Sequence, residues 1–274
     1  MSLKATMTIM KAWAAQRKGL TEQALSLYEE GFAAGGGDPK YMLAYAILLI
    51  RNGEFAKAKD LLVKHQRMPG MTPEQKSELI NDYAVCVYKL GEPEKAIAKM
   101  EENFRKNPTG NIYQTLGYFY VDQCDQANRP ADDEPAPVVA EAPAEEAAEG
   151  EDAVPQEAPK TPAQLFDERL EKARVFLEEA VEYDDEDPIV LDNLAQYYYR
   201  CLGDKQTAKT WFEKAIAIKE GQIDTLWFLS RYDLEAGNKD AALEKLTLAS
   251  EGRFSPLNFK TKDEVLAEIE RLKA

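Results

Sequence analysis

Histidine is nearly absent from this sequence: among 274 residues only His65 is one, and cysteine stops at Cys86, Cys124 and Cys201. The cysteines lie 38 and 77 residues apart, so there is no CxxC pair and no disulfide framework, and a reducing, cytoplasmic compartment is expected. Without HExxH or a second histidine, neither a zinc site nor a histidine-based triad is expected, and His65 reads as a surface or interhelix residue. Cys86 sits among apolar neighbours and should pack, while Cys124 and Cys201, near helix ends, are expected to be partly exposed. Long apolar runs are missing too. The longest, Tyr41 to Ile50, has ten residues, about half of the roughly 20 needed to cross a bilayer. The first residues spread Lys4, Lys11, Arg17 and Lys18 along their length, which is not the layout of a secretory signal.

Positive charge is also in deficit. There are 34 Lys+Arg against 49 Asp+Glu, a formal charge of −15. That excess repels phosphate backbones and anionic headgroups, so nucleic acid and membrane surfaces are not expected partners, whereas a neutral, basic or locally matched protein is. The charge is concentrated. Residues 130–159 hold ten acidic residues, no basic one, six prolines, nine alanines and no aromatic. Such a composition cannot bury enough apolar surface to offset the entropy of ordering it, which predicts a disordered insert over 125–160. Its use could be a tether, a decoy competing for a binding groove, a docking segment for a basic partner, or a plain solvated linker. Without those ten acids the formal charge would be −5.

Phosphate and calcium loops are absent as motifs. Gly35-Gly36-Gly37 precedes Asp38-Pro39 and lacks the GK[ST] of a phosphate cradle, so it reads as a flexible connector. The run Asp184 to Asp187 lacks the alternation and central glycine of a calcium loop and reads as a helix N-cap before Pro188.

What the sequence does contain is a repeat. Small residues Ala24, Ala58, Ala96, Ala173, Ala208 and Ala242 each precede a bulky residue by four positions: Tyr28, Leu62, Met100, Leu177, Phe212 and Leu246. Their separations are 34, 38, 77, 35 and 34, the 77 being one period plus an insertion. Turn glycines Gly19, Gly53, Gly91, Gly203 and Gly237 keep the same register. A period near 34 means a helix-turn-helix unit repeated in a stack. Helix starts agree, with Asp38-Pro39 and Asp187-Pro188 as caps and Thr72-Pro73-Glu74-Gln75 and Thr161-Pro162-Ala163-Gln164 as capping boxes. Thr261-Lys262-Asp263-Glu264 opens a last helix with Val265, Leu266, Ile269 and Leu272 expected on its apolar side.

With Leu116-Gly117-Tyr120, Leu194-Ala195-Tyr198-Ala208-Phe212-Ala215 and Tyr83-Ala84-Val87-Gly91-Ala96-Pro108 in place, the chain resembles the tetratricopeptide repeat (TPR) family. The expected fold is all-α: a right-handed superhelical stack of about six two-helix repeats with a C-terminal capping helix. Residues 1–124 would hold repeats one to three and the first helix of repeat four, and 161–254 its second helix and repeats five and six. Residues 255–274 would form the cap. The segments Asn111 to Val121, Ala180 to Tyr199 and Arg253 to Leu272 are similar to a group of Gram-positive bacterial members of unassigned function. Those relatives usually begin with a membrane anchor that this chain lacks, which implies a cytoplasmic protein, at the membrane face if an anchor has been removed.

The resemblance implies a concave groove lined by the first helices. The family's groove positions fall here on Trp13, Arg17, Ile47, Arg51, Asn81, Tyr88, Gln114, Tyr118, Asp192, Gln196, Tyr199, Arg200, Trp227 and Arg231. Aromatic rings, arginines and amides together suit an extended peptide. The carboxylate clamp found in some family members is not expected, because the matching positions hold Ile9, Trp13, Ala44, Glu78 and Asp82. The sequence therefore reads as a non-enzymatic scaffold, without cofactor or metal, that binds a protein or peptide. The alternative is an assembly protein that self-associates, with the acidic insert as spacer.

Overall fold

The computed structural model describes residues 3–132, 134 and 159–274. Among them are thirteen α-helices and no strand. They pair as α1 (Leu3–Arg17) with α2 (Thr21–Ala33), α3 (Pro39–Arg51) with α4 (Phe55–His65), and α5 (Pro73–Lys89) with α6 (Pro93–Lys106). Then follow α7 (Gly110–Gln123) with α8 (Pro162–Tyr183), α9 (Pro188–Gln196) with α10 (Lys205–Ile218), and α11 (Ile223–Glu235) with α12 (Lys239–Glu251). The last helix, α13 (Lys262–Lys273), packs on α12. Six two-helix units and a cap form the superhelical stack read from the sequence.

The small residue of each second helix is the point of closest approach. Ala24, Ala58, Ala96, Ala173, Ala208 and Ala242 have no accessible surface, and the bulky residue four positions on is buried in all six units. The five turn glycines have φ between +69° and +88°, the left-handed region in which a Cβ would clash with its own backbone. Helix starts are capped by side chains: Thr72 with Gln75, Thr161 with Gln164 and Thr261 with Glu264 form complete capping boxes, and Asp187 accepts from the amides of Ile189 and Val190.

Repeat five departs from a plain helix. After Gln196 the backbone passes into a π-turn over Tyr197–Cys201. From the first-turn residue to the small alanine takes 19 residues in repeats two and six (Pro39 to Ala58, Ile223 to Ala242) but 20 here (Pro188 to Ala208). The wider π-turn absorbs the extra residue without shifting the packing of α10.

Three local expectations need correction. Cys124 and Cys201 are fully buried, because both pack inside the joint between repeats four and five. Leu266 faces solvent at 41% exposure, and only Val265, Ile269 and Leu272 of α13 reach the core. Gly36 is more than a connector: a Cβ there would lie 2.4 Å from Ile9 Cδ1 and 2.8 Å from the Gly31 carbonyl oxygen, so α1 and α2 close over it.

Of the segment assigned to the insert, residues 125–132, 134, 159 and 160 are described. The rest of it, with most of its acids, lies outside the described residues. Asp125 caps a short 3-10 turn over Gln126–Asn128, and Arg129 bonds Asp167 of α8 at 2.6 Å.

Candidate binding groove

The first helices follow one another, α1 on α3, α3 on α5, α5 on α7 and α7 on α9, and their inner sides form the concave wall. At the N-terminal end the half-buried Trp13 is flanked by cations. The Arg17 guanidinium lies 5.0 Å and the Lys40 ammonium 4.6 Å from its ring centre, and Tyr41 meets it edge-on at 6.0 Å. These cations gain from the ring's negative face while keeping their water. Further along, the exposed Arg51 stands near Asp82, and α5 turns Glu78, Asn81 and Asp82 to the same side. Burial raises the Glu78 and Asp82 carboxyls above the usual range.

The middle of the wall is satisfied internally. Tyr88 stacks on Phe119 at 4.1 Å, donates to Asp122 at 2.6 Å and accepts from Gln123 at 2.9 Å. Lys89 donates to the Tyr118 hydroxyl at 3.0 Å, and burial lowers its ammonium pKa. Gln114 reaches away to Asp187 at 2.5 Å, tying α7 to the cap of α9.

At the C-terminal end the polar side chains are bonded to one another in three neighbouring sets. Arg200 donates to Asp125 at 2.8 Å, Gln196 at 3.0 Å and Asp122 at 3.2 Å. Gln196 donates to Asp192 at 2.7 Å, and Asp192 accepts from Thr225 of α11 at 2.5 Å. Asp224 accepts from the Asn258 side chain at 3.1 Å and the Phe259 amide at 3.0 Å. Trp227 lies under Arg231 at 4.2 Å, and Arg231 bonds Glu268 of α13 at 2.5 Å. Tyr199, next to Arg200 on the same π-turn, packs instead with Phe228 at 5.0 Å and Tyr232 at 5.8 Å.

These sets are roofed by the link between α12 and α13, residues 252–261. Leu257 packs on the core of the first five repeats, and Phe259 stands 4.4 Å from the Arg200 guanidinium; burial, and after it the charge of Arg253, lowers the Arg51 pKa. The strap thus ties repeat six to repeat five and to the core of the earlier repeats. Sequence reading missed it, along with Lys89, Asp122, Asp125, Asp224 and Asn258. Phe254, Leu257 and Phe259, three large apolar residues within one helix-to-helix link, were the available sign.

Among the described residues no group of three His, Cys, Asp or Glu could hold a metal ion. Burial pushes the Cys86 thiol up to about 12 and the Cys124 thiol to about 11, and raises Cys201 as well, so thiolate is scarce at neutral pH. His65 lies against Phe32, ring centres 5.6 Å apart, and burial lowers its pKa. A cavity of about 750 Å³ lies outside the groove, among α4, α5 and α6, lined by Leu62, Met71, Leu79 and Tyr83. No helix among the described residues is long and apolar enough to cross a membrane.

No family model matches the sequence, and no curated protein does. Solved structures do match in fold. TTC0263, a thermophilic TPR protein of Thermus thermophilus, superposes with a TM-score of 0.60 at 16% identity, over 86% of this chain and 99% of that one. PilW, a type IV pilus biogenesis factor, gives 0.57 at 14% identity over 97% and 100%. The human IFIT1 dimer with m7Gppp-AAAA gives 0.56 at 14% identity, over 92% of this chain but 48% of that one. The fold is therefore that of TPR proteins.

Proposed function

We propose that this TPR-type array is a non-enzymatic protein-interaction scaffold that takes an extended peptide or a helix along the N-terminal half of its concave wall. The observation that carries this reading is the contrast between the two halves. Around Trp13, Arg17, Lys40 and Arg51, no hydrogen bond or ion pair commits the Arg17 and Arg51 guanidiniums among the described residues. Around Gln196, Arg200, Trp227 and Arg231 the polar groups hold each other, the strap and the cap. A partner supplying carbonyls, carboxylates or apolar side chains gains contacts at Arg17 and Arg51 without breaking a hydrogen bond or ion pair. In this reading Trp13, Arg17, Arg51 and Asn81 contact the partner, while Tyr88, Gln114, Tyr118, Gln196, Tyr199, Arg200, Trp227 and Arg231 set the wall's shape. The test is a screen of a random 12-residue peptide pool against the wild type and a Trp13→Ala/Arg51→Ala variant. Peptides selected on the wild type should lose at least tenfold in affinity on the variant, and unchanged binding of all of them sinks the assignment.

A second reading has its own observation. Leu3, Met7 and Met10 of α1 follow at helical spacing and are 79%, 52% and 51% exposed. Such an apolar stripe on the first helix of a stack favours self-association through that edge. Sedimentation of the wild type beside Met7→Glu/Met10→Glu tests it: a concentration-dependent dimer lost in the variant is expected, and a wild-type monomer at all concentrations rejects it.

A further inference from the structure

We propose that the cavity among α4, α5 and α6 is a second docking site, for an amphipathic helix of a partner protein whose apolar side chains are bordered by carboxylates. The proposal goes beyond the groove reading and uses none of the residues assigned to the groove.

The cavity holds about 750 Å³, the size of a ligand-binding cleft. Its floor is apolar, with Leu62, Met71 and Leu79 buried, while the exposed Val63 and Ala98 stand where a partner reaches them from solvent. On α5 the lining residues Lys76, Leu79, Ile80 and Tyr83 stand at i, i+3, i+4 and i+7, a trough of about 10 Å along one helix face. On α6 Lys95, Ala98, Lys99 and Glu102 line it at the same spacing. Lys95 feels the Tyr83 hydroxyl, which puts it at the other end of the trough from Lys76. Cations are thus spread along the length, which suits several carboxylates on a rigid frame better than a single anionic headgroup.

These cations are in surplus. Lys76 makes no hydrogen bond or ion pair among the described residues, Lys95 pairs with Glu92 at 2.8 Å, and Lys99 and Lys106 share Glu102 at 2.8 and 2.6 Å. Four ammoniums therefore meet two carboxylates, in exposed pairs that each contribute little, so incoming carboxylates gain partners at small loss. The neighbouring cavity between α6 and α8 has no such surplus: Glu94, Glu101 and Glu168 line it with Arg169 and Lys172. The net charge of −15 on the whole chain is screened beyond about 10 Å, so the local surplus decides at contact.

A helix fits because the lining is itself helical. The backbone groups of α4, α5 and α6 are bonded within their helices, and the one side-chain amide of the lining, Gln66, already donates to the Val63 carbonyl. An extended segment would bury its own donors and acceptors unpaired there, whereas a helix satisfies them internally.

The experiment uses the full chain and three acetylated, amidated 18-residue peptides designed as helices. The first carries leucines at i, i+3, i+4 and i+7 bordered by glutamates, the second has lysines for those glutamates, and the third has glutamines for the leucines. Fluorescence anisotropy should show the first binding the wild type at least tenfold tighter than either of the others. Equal binding of the first and second, or no binding of the first, overturns the proposal. Lys76→Glu/Ala98→Trp, which reverses one cation and fills the mouth at two exposed positions, should lose at least tenfold, and unchanged affinity overturns the site. If this double variant melts lower than the wild type, Lys76→Glu alone takes its place, with a loss of at least threefold expected. Trp13→Ala/Arg51→Ala should bind the first peptide as the wild type does; a loss there moves the peptide to the groove and overturns the cavity while the groove reading stands. A synthetic peptide of residues 130–159 serves as competitor. If it displaces the labelled helix at lower concentration than the unlabelled helix does, the occupant is the chain's own acidic segment and the partner helix is overturned.

Discussion

The Arg200 guanidinium lies 4.4 Å from the centre of the Phe259 ring while its nitrogens bond Asp122, Asp125 and Gln196. One side chain thus joins repeat four, repeat five and the strap. Removing Arg200 leaves two carboxylates without their cation, a loss of about 3 kcal/mol, whereas Phe259→Ala loses packing and the ring contact, about 2 kcal/mol. Urea unfolding of both single variants and the double should give a coupling of about 1 kcal/mol. Strict additivity would show that the ring and the guanidinium do not act together.

Asp192 and Asp224 are raised above the usual carboxylate range by burial, and Asp224 further by the charge of Asp192. The folded chain then keeps protons that the unfolded chain releases near pH 4. This contribution to stability is fully present below that range and is lost as pH rises through the raised values of the folded state. Asp224→Asn should match or trail the wild type near pH 4 and exceed it near pH 8 by about 1–2 kcal/mol, read as the difference between their chemical denaturation curves. A difference that does not change with pH contradicts the assignment.

The small residue of each second helix is a steric requirement. Ala208 has no accessible surface, so Ala208→Leu should cost about 1–3 kcal/mol by overpacking, while Thr210→Leu at an exposed position should stay within about 0.5 kcal/mol. Thermal melting of the two variants separates these outcomes.

None of the three cysteines should react in the folded chain. Cys86, Cys124 and Cys201 are buried and their thiols are shifted upward, so an Ellman titration at pH 8 should find no fast thiol in the native protein and three after denaturation. A stoichiometric fast reaction under native conditions would place one of them at the surface.

The capping box that opens α8 should be felt locally. Thr161 accepts from the Gln164 amide at 3.2 Å, and Gln164 Oε1 accepts from the Thr161 amide at 2.9 Å. Thr161→Ala should destabilise by about 1 kcal/mol, with faster hydrogen exchange confined to the first turn of α8.

The repeat was legible because its signals are local and redundant: a glycine turn, a small residue and a bulky one recur in order, and every such alanine is buried. Capping boxes were legible for the same reason. The strap was not, because Phe254, Leu257 and Phe259 carry no period and their partners lie in other repeats. Nor was the π-turn, since one extra residue between Pro188 and Ala208 looks the same in a loop as in a widened helix. The groove positions were assigned by register alone, and register says nothing of which side chains satisfy each other. Arg51 and Arg200 occupy equivalent positions, and only the second has Asp122 and Asp125 at hand.

A stack of repeats ordinarily frays from its ends, because each unit holds only its neighbours. The strap changes that for this chain. By carrying Leu257 and Phe259 back onto earlier repeats, it makes the last unit share the fate of the middle ones. Amides of α11 and α12 should therefore exchange in one cooperative step with those of α7 and α9, while α1 and α2, to which no strap returns among the described residues, open first.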